Sequence, residues 1–205
     1  FIGSYIVEKL KSDERLRGIL QLFTLMPMSV PGLVLGLAYI FYFNAKDNPI
    51  NFIYATMTIL VINTIVHFYT VSHLTGVTAL KQMDKEFESV SLSLKIPLYK
   101  MFWKVTLPVC LPTIFDISIY LFVNAMTTVS GVIFLYTYNT TLASVSAIHL
   151  DEQGDVAAAA AMAMLIVYVS VLVRIIHSVF TKGVLRRTQA WRHDSPNAVN
   201  DLTKA

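Results

Sequence analysis

The sequence predicts an all-α membrane protein. The chain has 205 residues, of which 55% are hydrophobic and only 14% are charged, too apolar a composition for an ordinary soluble domain. A hydrocarbon core of about 30 Å takes roughly 20 helical residues. Four stretches are long and apolar enough, at 18–43, 51–75, 105–136 and 155–181. Each should be helical, because lipid offers backbone polar groups no other partner.

The first stretch contains a predicted break. Pro27 and Pro31 lie four positions apart and Gly32 follows, so two helical donors are missing. Two interpretations stay open: a kink that shapes the bundle, or an interruption beside a transport pathway, where a watered cavity satisfies the freed carbonyls. Gly32 and Gly36 have the small-residue spacing that favours close helix packing.

The third stretch is too long for one straight span. It contains Pro108, Pro112 and Gly131, which predict a bent or interrupted helix. The chain's one cysteine, Cys110, also lies here and is expected to be a small buried core residue. A single cysteine excludes an internal disulfide.

Polar residues within this third stretch are candidates for a translocation path. A carboxylate such as Asp116 costs about 2.5–3.5 kcal/mol on insertion scales, so it needs a partner or water. Bonding to freed helix ends near the cytoplasmic surface is favoured over contact with a substrate. For the polar row further on, hydrogen bonds between helices and a pathway lining are both open. That row consists of Asn124, Thr127, Thr128 and Ser130.

The distribution of basic residues predicts the orientation. Of 16 Lys and Arg residues, four lie in 9–17, five in 81–104 and four in 182–192. The segments on the opposite side carry Lys46 and the acidic residues Asp151, Glu152 and Asp155. The positive-inside rule then places both termini and residues 76–104 in the cytoplasm. Because this charge pattern reflects topology, a nucleic-acid partner is not expected.

Catalytic and metal-binding motifs are absent from the sequence. There is no phosphate-binding loop, no His-Glu-x-x-His and no Gly-x-Ser-x-Gly, so the chain is not expected to be an enzyme or to hydrolyse ATP itself. The histidines are spread over different spans and loops, which argues against a shared metal site. They are His67, His73, His149, His177 and His193. No cofactor is predicted.

The segment between the second and third stretches predicts a docking surface. In a helix that begins near Asp84, four residues share one narrow face, namely Phe87, Val90, Ser91 and Leu94. Pro97 is expected to end this helix, and a second short helix from Leu98 to about Val105 leads to Leu107 and Pro108. A helix lying on the lipid surface is the alternative, but a helix, a proline turn and a rigid return favour a lever that contacts a soluble partner.

The end of this segment resembles the cytoplasmic signature of ABC importer permeases. That signature reads Glu-Ala-Ala, three residues, Gly, nine residues, Ile-x-Leu-Pro, and inserts into a cleft of the ATP-hydrolysing subunit. Val105 aligns with the Ile, and Leu107 and Pro108 with the Leu-Pro, whereas Lys95 stands where the family has Gly. The family's Glu falls on Ser89, one place after Glu88. The resemblance implies an ATPase-coupling role for Glu88, Ser89, Val90, Ser91, Leu94, Lys95, Ile96, Pro97, Val105, Leu107 and Pro108.

Other segments resemble permeases assigned to 2-aminoethylphosphonate uptake, which are close relatives of iron(III)-type permeases. These segments are Glu86-Phe-Glu-Ser-Val-Ser-Leu-Ser-Leu-Lys-Ile-Pro97, Pro108-Val-Cys-Leu-Pro112, Asn124-Ala-Met-Thr-Thr-Val-Ser130, Thr141-Leu-Ala-Ser and Ala159-Ala-Ala-Met-Ala-Met-Leu-Ile166. The resemblance implies a permease domain over 18–181 in a bacterial inner membrane. Residues 1–17 are expected to be the cytoplasmic end of a truncated preceding span, and 182–205 a cytoplasmic tail.

The resemblance also implies the partners and the mechanism. Alternating access would be driven by separate ABC ATPase subunits, with a periplasmic or extracellular substrate-binding protein delivering a phosphonate. A second permease half is expected to be fused upstream, and lipid surrounds the bundle. An iron(III)-type or other small-solute importer is the alternative substrate class. A secondary transporter driven by an ion gradient, with Asp116 as the ion site, and a membrane scaffold without transport activity are alternatives of other classes.

Overall fold

The computed structural model describes residues 1–9, 14–84 and 86–188, and helices are the regular secondary structure of this part of the chain. The helices are α1 Ile2–Lys9, α2 Glu14–Ser29, α3 Gly32–Phe43, α4 Met57–His67, α5 Tyr69–Gln82, α6 Glu86–Ser93, α7 Leu98–Met101, α8 Leu107–Val109, α9 Leu111–Thr127, α10 Ala143–Glu152 and α11 Val156–Thr188. Short 3₁₀ turns cover Asn51–Ile53 and Tyr138–Thr140, and a π-helical turn covers Phe102–Thr106. The all-α prediction is confirmed.

Most of the candidate membrane spans are bent pairs of helices. By length and composition, only the part of α11 from Val156 to Gly183 is a single long apolar helix among the residues described. Three further pairs qualify when each bent pair is taken together. They are α2 with α3, bent by 104°, α4 with α5, bent by 53°, and Tyr99–Val109 with α9, bent by 70°. The total of up to four agrees with the four predicted stretches.

The predicted break in the first stretch is confirmed. Helix α2 ends at Ser29, Pro31 is extended with φ −56° and ψ 139°, and α3 begins at Gly32. Proline has no amide hydrogen to donate and disfavours helical geometry in the residue before it, so the ladder cannot continue through Val30. The bent third stretch is also confirmed, since the chain turns at Cys110 between α8 and α9.

The third stretch, predicted as a bent or interrupted helix to residue 136, stops being helical after Thr127. Residues 128–136 form turns, beginning with Thr128 in an extended conformation. The prediction assumed that non-helical backbone finds no partner in lipid. Here protein side chains supply partners: Asn63 bonds to the Gly131 carbonyl and Ser144 to the Thr128 carbonyl. Irregular backbone is tolerated at membrane depth when it is buried in protein in this way.

Three further segments differ from the predicted ones. The second stretch was predicted to be helical from 51 to 75. In the structure α4 begins at Met57, and α5, which follows it, continues to Gln82. The segment 137–155, predicted as a loop, contains α10, which packs along α11. Helix α11 continues past 181 to Thr188, and the rest of the predicted tail lies outside the described residues.

Two small cores lie at opposite ends of the bundle. The first consists of Ile59, Leu60, Val132, Leu135 and Val145, with Tyr39, Phe43, Tyr54 and Tyr136 packed against it. The second consists of Tyr5, Leu80, Phe102 and Cys110, with Phe1 and Leu107 packed against it. The first core lies where α4 begins and α9 ends, and the second where α5 ends and α9 begins. Cys110 is 4% exposed, as a core residue should be.

Candidate functional sites in the turn segment and at the helix break

The turn segment, defined here as residues 86–109, reverses the chain at Lys95. Helix α6 ends at Ser93, where the Leu94 amide donates to the Val90 carbonyl at 2.9 Å. The Ile96 amide then donates to the Ser91 carbonyl at 2.9 Å, a bond that spans a left-handed residue at a helix end. That residue is Lys95, with φ +51°.

The predicted role of Pro97 as the helix terminator is therefore wrong, because the left-handed residue ends α6 earlier. A φ of +51° lies in the region that glycine adopts without steric cost. Lys95 stands at the position where the signature has glycine, so the backbone keeps the geometry of a glycine turn although the side chain differs.

The tip of the turn segment is apolar and exposed. Leu94 is 66% exposed and Ile96 39% exposed, although both are hydrophobic. Val90 and Tyr99 extend this surface, and Ser89, Lys95 and Pro97 are exposed beside it. The Glu88 and Leu98 side chains lie outside the part that the structure describes. Contiguous exposed apolar side chains of this kind mark interaction sites.

A notch of about 500 Å³ lies beneath this tip. Most of its lining is apolar and comes from Phe87, Val90, Ile96, Met101 and Val105. The buried Ser91 and the charged Glu86, Lys100 and Lys104 complete the lining. The Ser91 hydroxyl approaches the Ile96 carbonyl at 3.5 Å. Phe87, Val90 and Ser91 therefore share one side of α6, as predicted.

The base of the turn segment is anchored in the second core. Phe102 is buried against Tyr5, with ring centroids 4.6 Å apart, and Leu107 packs on the same core, while Pro108 remains exposed. The turn segment thus has an exposed tip, a lined notch and a base at Phe102 and Leu107 that packs on the second core.

Asp116 has a partner that the sequence did not indicate. Its Oδ1 lies 3.5 Å from Nε2 of His177 on α11, and the Asp116 side chain is 57% exposed. It borders a cavity of about 420 Å³ between α2, α5 and α9, which Thr75, Thr78, Gln82 and Thr113 also line. Apolar side chains, among them Met28, Val71 and Leu74, form most of the lining, so the carboxylate lies in a mixed recess at the end of the bundle that contains the turn segment.

The polar row at the end of α9 does not bridge helices through its first two members. The Asn124 amide donates to the Tyr120 carbonyl at 2.7 Å, and the Thr127 hydroxyl to the Val123 carbonyl at 3.0 Å, both within α9. Thr128 ends the helix, and its carbonyl accepts a 2.8 Å bond from the Ser144 hydroxyl. Their lining of a path stays a prediction.

A close contact between α3 and the 128–136 turns surrounds Ser130. Gly32 and Gly36 are both buried, as their spacing predicted. A Cβ added at Gly32 would lie 2.6 Å from the Ser130 hydroxyl, and one at Gly36 would lie 2.9 Å from the Gly131 carbonyl oxygen. The helix break thus packs directly on the turn that carries part of the polar row.

Two side chains of α4 complete this contact, and sequence reasoning missed both. Asn63 is 1% exposed and donates to the Gly131 carbonyl at 2.7 Å. His67 lies against Gly32, with its Cε1 3.3 Å from a Cβ added there. The only signal was a polar residue four positions before a histidine in an otherwise apolar helix.

Comparison with known proteins decides the family. The model of the binding-protein-dependent transport system inner membrane component matches residues 1–186. The chain belongs to this family of ABC importer permeases. Both the predicted family and the predicted permease fold are therefore confirmed.

Similar proteins include the ferric transport system permease protein FbpB of Actinobacillus pleuropneumoniae, 31% identical over 166 residues, covering 81% of this chain and 23% of the relative. A putative ferric permease FbpB 1 of Haemophilus influenzae is 34% identical over 137 residues, covering 67% of this chain and 21% of the relative. The putative ferric permease-like protein AfuB of Escherichia coli is 34% identical over 88 residues, covering 43% of this chain and 73% of the relative. This chain thus spans less than a quarter of the length of the two FbpB relatives.

A solved structure gives the same fold. A bacterial ABC transporter that imports the acidic polysaccharide alginate matches with a TM-score of 0.70 at 13% identity, covering 88% of this chain and 70% of that chain. At this identity the likeness concerns the arrangement of the helices alone.

Proposed function

We propose that this chain forms half of the membrane pathway of an ATP-driven importer whose cargo is ferric iron. The observation that carries the coupling part of the proposal is the exposed tip formed by Leu94, Lys95 and Ile96, held on a base that is buried in the second core. Small clusters of buried apolar residues contribute most of the binding energy at protein interfaces. An apolar tip on an anchored base is therefore suited to bind in a cleft of a soluble partner.

Ferric iron is preferred over a phosphonate as the cargo. Three relatives carry ferric transport in their names, and this agrees with the iron(III)-type alternative drawn from the sequence. The 2-aminoethylphosphonate interpretation stays a prediction, supported by the motif resemblance alone.

The proposed partners follow from the importer mechanism. A substrate-binding protein delivers the cargo at the outer face, and ABC ATPase subunits bind the tip of the turn segment. A second permease half, fused or separate, completes the pathway. Closure of the ATPases moves the tip, and the buried base at Phe102 and Leu107 transmits this motion to α9 and to its neighbours. ATP supplies the energy, and differential contacts in the two states carry the coupling.

The proposed pathway passes the polar groups that lie along α9. Asp116 lies toward the end with the turn segment, and Asn124, Thr127, Thr128 and Ser130 lie toward the other end. The 104° break between α2 and α3 packs on Ser130, so a change in the break would move this part of the lining. A broken helix beside a pathway is a recurrent arrangement in transporters.

Uptake of radiolabelled ferric iron by cells that express the permease with its ATPase and binding protein tests the proposal. Uptake should require a hydrolysis-competent ATPase and should be unaffected by excess 2-aminoethylphosphonate. Loss of uptake in the presence of the phosphonate would support the other cargo. Uptake that survives ATP depletion but fails with an uncoupler would instead support an ion-driven carrier.

A further inference from the structure

A tyrosine, a histidine and a glutamate lie in a row at the end of the bundle opposite the turn segment. The Tyr136 hydroxyl and Nε2 of His149 are 2.5 Å apart. On the other side of the imidazole, Nδ1 lies 3.5 Å from Oε2 of Glu152. Nothing in the coupling role described above uses these side chains.

We infer that Tyr136 and His149 form a two-donor transit site for the ferric ion, oriented by Glu152. This inference rests on the proposed cargo and on the proposed orientation, which places this end of the bundle outside the cell. Phenolate oxygen and imidazole nitrogen are both ligands that proteins use for iron.

The distance between the two donors supports coordination of one ion. Two donors about 2.0–2.1 Å from a metal and at right angles to each other lie about 2.9 Å apart. The observed separation is 2.5 Å, so it is close to this value. Because the two donors face each other, the phenol oxygen must also move aside from the Nε2 lone pair to admit an ion.

The carboxylate favours the histidine tautomer that a metal needs. When Nδ1 carries the proton, its N–H faces Glu152, and Nε2 accepts from the Tyr136 hydroxyl. A metal-binding histidine commonly donates its other ring N–H to a carboxylate, which fixes the ring. Binding of the cation would displace the phenolic proton to solvent, so that phenolate and Nε2 face the ion together.

The surroundings favour a transit site over a storage site. The His149 side chain is 43% exposed and that of Glu152 67% exposed, so an ion can arrive and leave. Tyr136 packs against the first core, and this packing fixes the position of its oxygen. The segment 137–155 contains three acidic residues and no Lys or Arg, a charge that attracts a cation. Two protein donors leave the remaining coordination positions to water or to a carrier anion.

The described part of the chain contains no group of three His, Cys, Asp or Glu side chains able to hold a metal. The row becomes a candidate only when the tyrosine oxygen is counted as a donor. The sequence did not predict it, because Tyr136 and His149 lie in the two segments whose structure was predicted wrongly.

Titration of the purified permease with ferric nitrilotriacetate tests the inference, with the visible charge-transfer absorption of an iron–phenolate bond as the readout. The wild-type protein and Tyr138→Phe should both develop the band, and Tyr136→Phe should not. Tyr138 is a matched control, since it lies two positions away and is 97% exposed. Glu152→Gln should retain the band but weaken iron binding by about 10-fold or more.

The outcomes separate this site from the proposed cargo. No band in the folded wild-type protein, or an undiminished band in Tyr136→Phe, would overturn the site even if cells import iron. If Tyr136→Phe does not fold, the wild-type band and its weakening in Glu152→Gln still decide the question, and equal affinity in Glu152→Gln would exclude the orienting role. A band in a permease whose cells import no iron would instead disprove the cargo and leave the site.

Discussion

Asn63 donates a 2.7 Å hydrogen bond to the backbone carbonyl of Gly131, and this bond joins α4 to the turns that follow α9. The two residues are 68 positions apart, and Asn63 is 1% exposed. The bond holds non-helical backbone in a region that the sequence predicted to be helical. It thereby fixes Thr128 and Ser130, two of the candidate path residues, relative to the break at Gly32.

Replacing Asn63 with Leu should destabilise the fold. The variant keeps the number of non-hydrogen side-chain atoms but leaves the Gly131 carbonyl without its donor, a loss of about 1–2 kcal/mol for a bond inside a membrane protein. The expected result is a lower Tm in detergent. Ser118→Ala is the control, because the Ser118 hydroxyl bonds only to the Ile114 carbonyl of its own helix. Equal Tm values for the two variants would show that the bond has no structural role.

A single methyl group at Gly36 should be more harmful than one at Gly18. A Cβ at Gly36 would lie 2.9 Å from the Gly131 carbonyl oxygen, whereas nothing lies within 4 Å of one at Gly18. Gly36→Ala is expected to cost about 1–3 kcal/mol through overpacking against backbone. Gly18→Ala should be neutral or stabilising by up to about 1 kcal/mol, because alanine favours the helix. Unfolding of both variants in detergent measures the difference, and a stable Gly36→Ala variant would disprove the close contact.

Local signals made part of this fold predictable. The break at Pro31 and Gly32 could be predicted because a missing amide donor acts on its own turn of helix, although Pro27, expected to be part of the break, lies inside α2. The extent of the turns at 128–136 could not, because Gly131 indicates an interruption but the apolar residues after it suit a helix equally well. What decides their conformation is the pair of hydrogen bonds from Asn63 and Ser144, which come from distant parts of the chain.

The candidate sites divide in the same way. The return at Val105, Leu107 and Pro108 was predictable from the spacing of the signature. The left-handed conformation of Lys95 was not, because lysine gives no signal for a positive φ. The partnership of Asp116 with His177 was equally hidden, since it depends on how α9 and α11 pack.

Cysteine labelling should establish the orientation. Asn139 and Gln82 are both exposed and lie near opposite ends of the bundle. A cysteine introduced at Asn139 should react with an impermeant reagent added outside cells, and one at Gln82 should not, as the positive-inside rule requires. The native Cys110 is 4% exposed and should give little background. The reverse pattern would overturn both the docking proposal and the proposed iron site.

Lys95→Gly should preserve the turn, and Lys95→Val should disrupt it. A left-handed conformation costs a residue with a side chain about 1–2 kcal/mol, which glycine does not incur. A β-branched side chain tolerates that conformation worst. Pull-down of the ATPase should therefore be at least as efficient with the glycine variant as with wild type, and weaker with the valine variant. Equal pull-down by Gly and Val variants would show that the geometry at Lys95 does not matter for association.

Introducing a charge at the tip should release the ATPase. Leu94 and Ile96 are exposed apolar residues on either side of Lys95, and Leu94→Glu or Ile96→Glu would place a carboxylate in an apolar cleft. Truncation at a buried hot spot costs about 2 kcal/mol or more, roughly 30-fold in affinity, and a desolvated charge should be at least as harmful. Transport should be lost while the membrane fold survives, because the buried base at Phe102 and Leu107 is untouched. Tyr138→Glu is the control for an added charge at an exposed site away from the tip.

A helix that only lies on the lipid surface would lose membrane contact by the same substitutions but keep its association with the ATPase subunits. Pull-down of the ATPase by both tip variants at wild-type strength would therefore rule out docking through this tip.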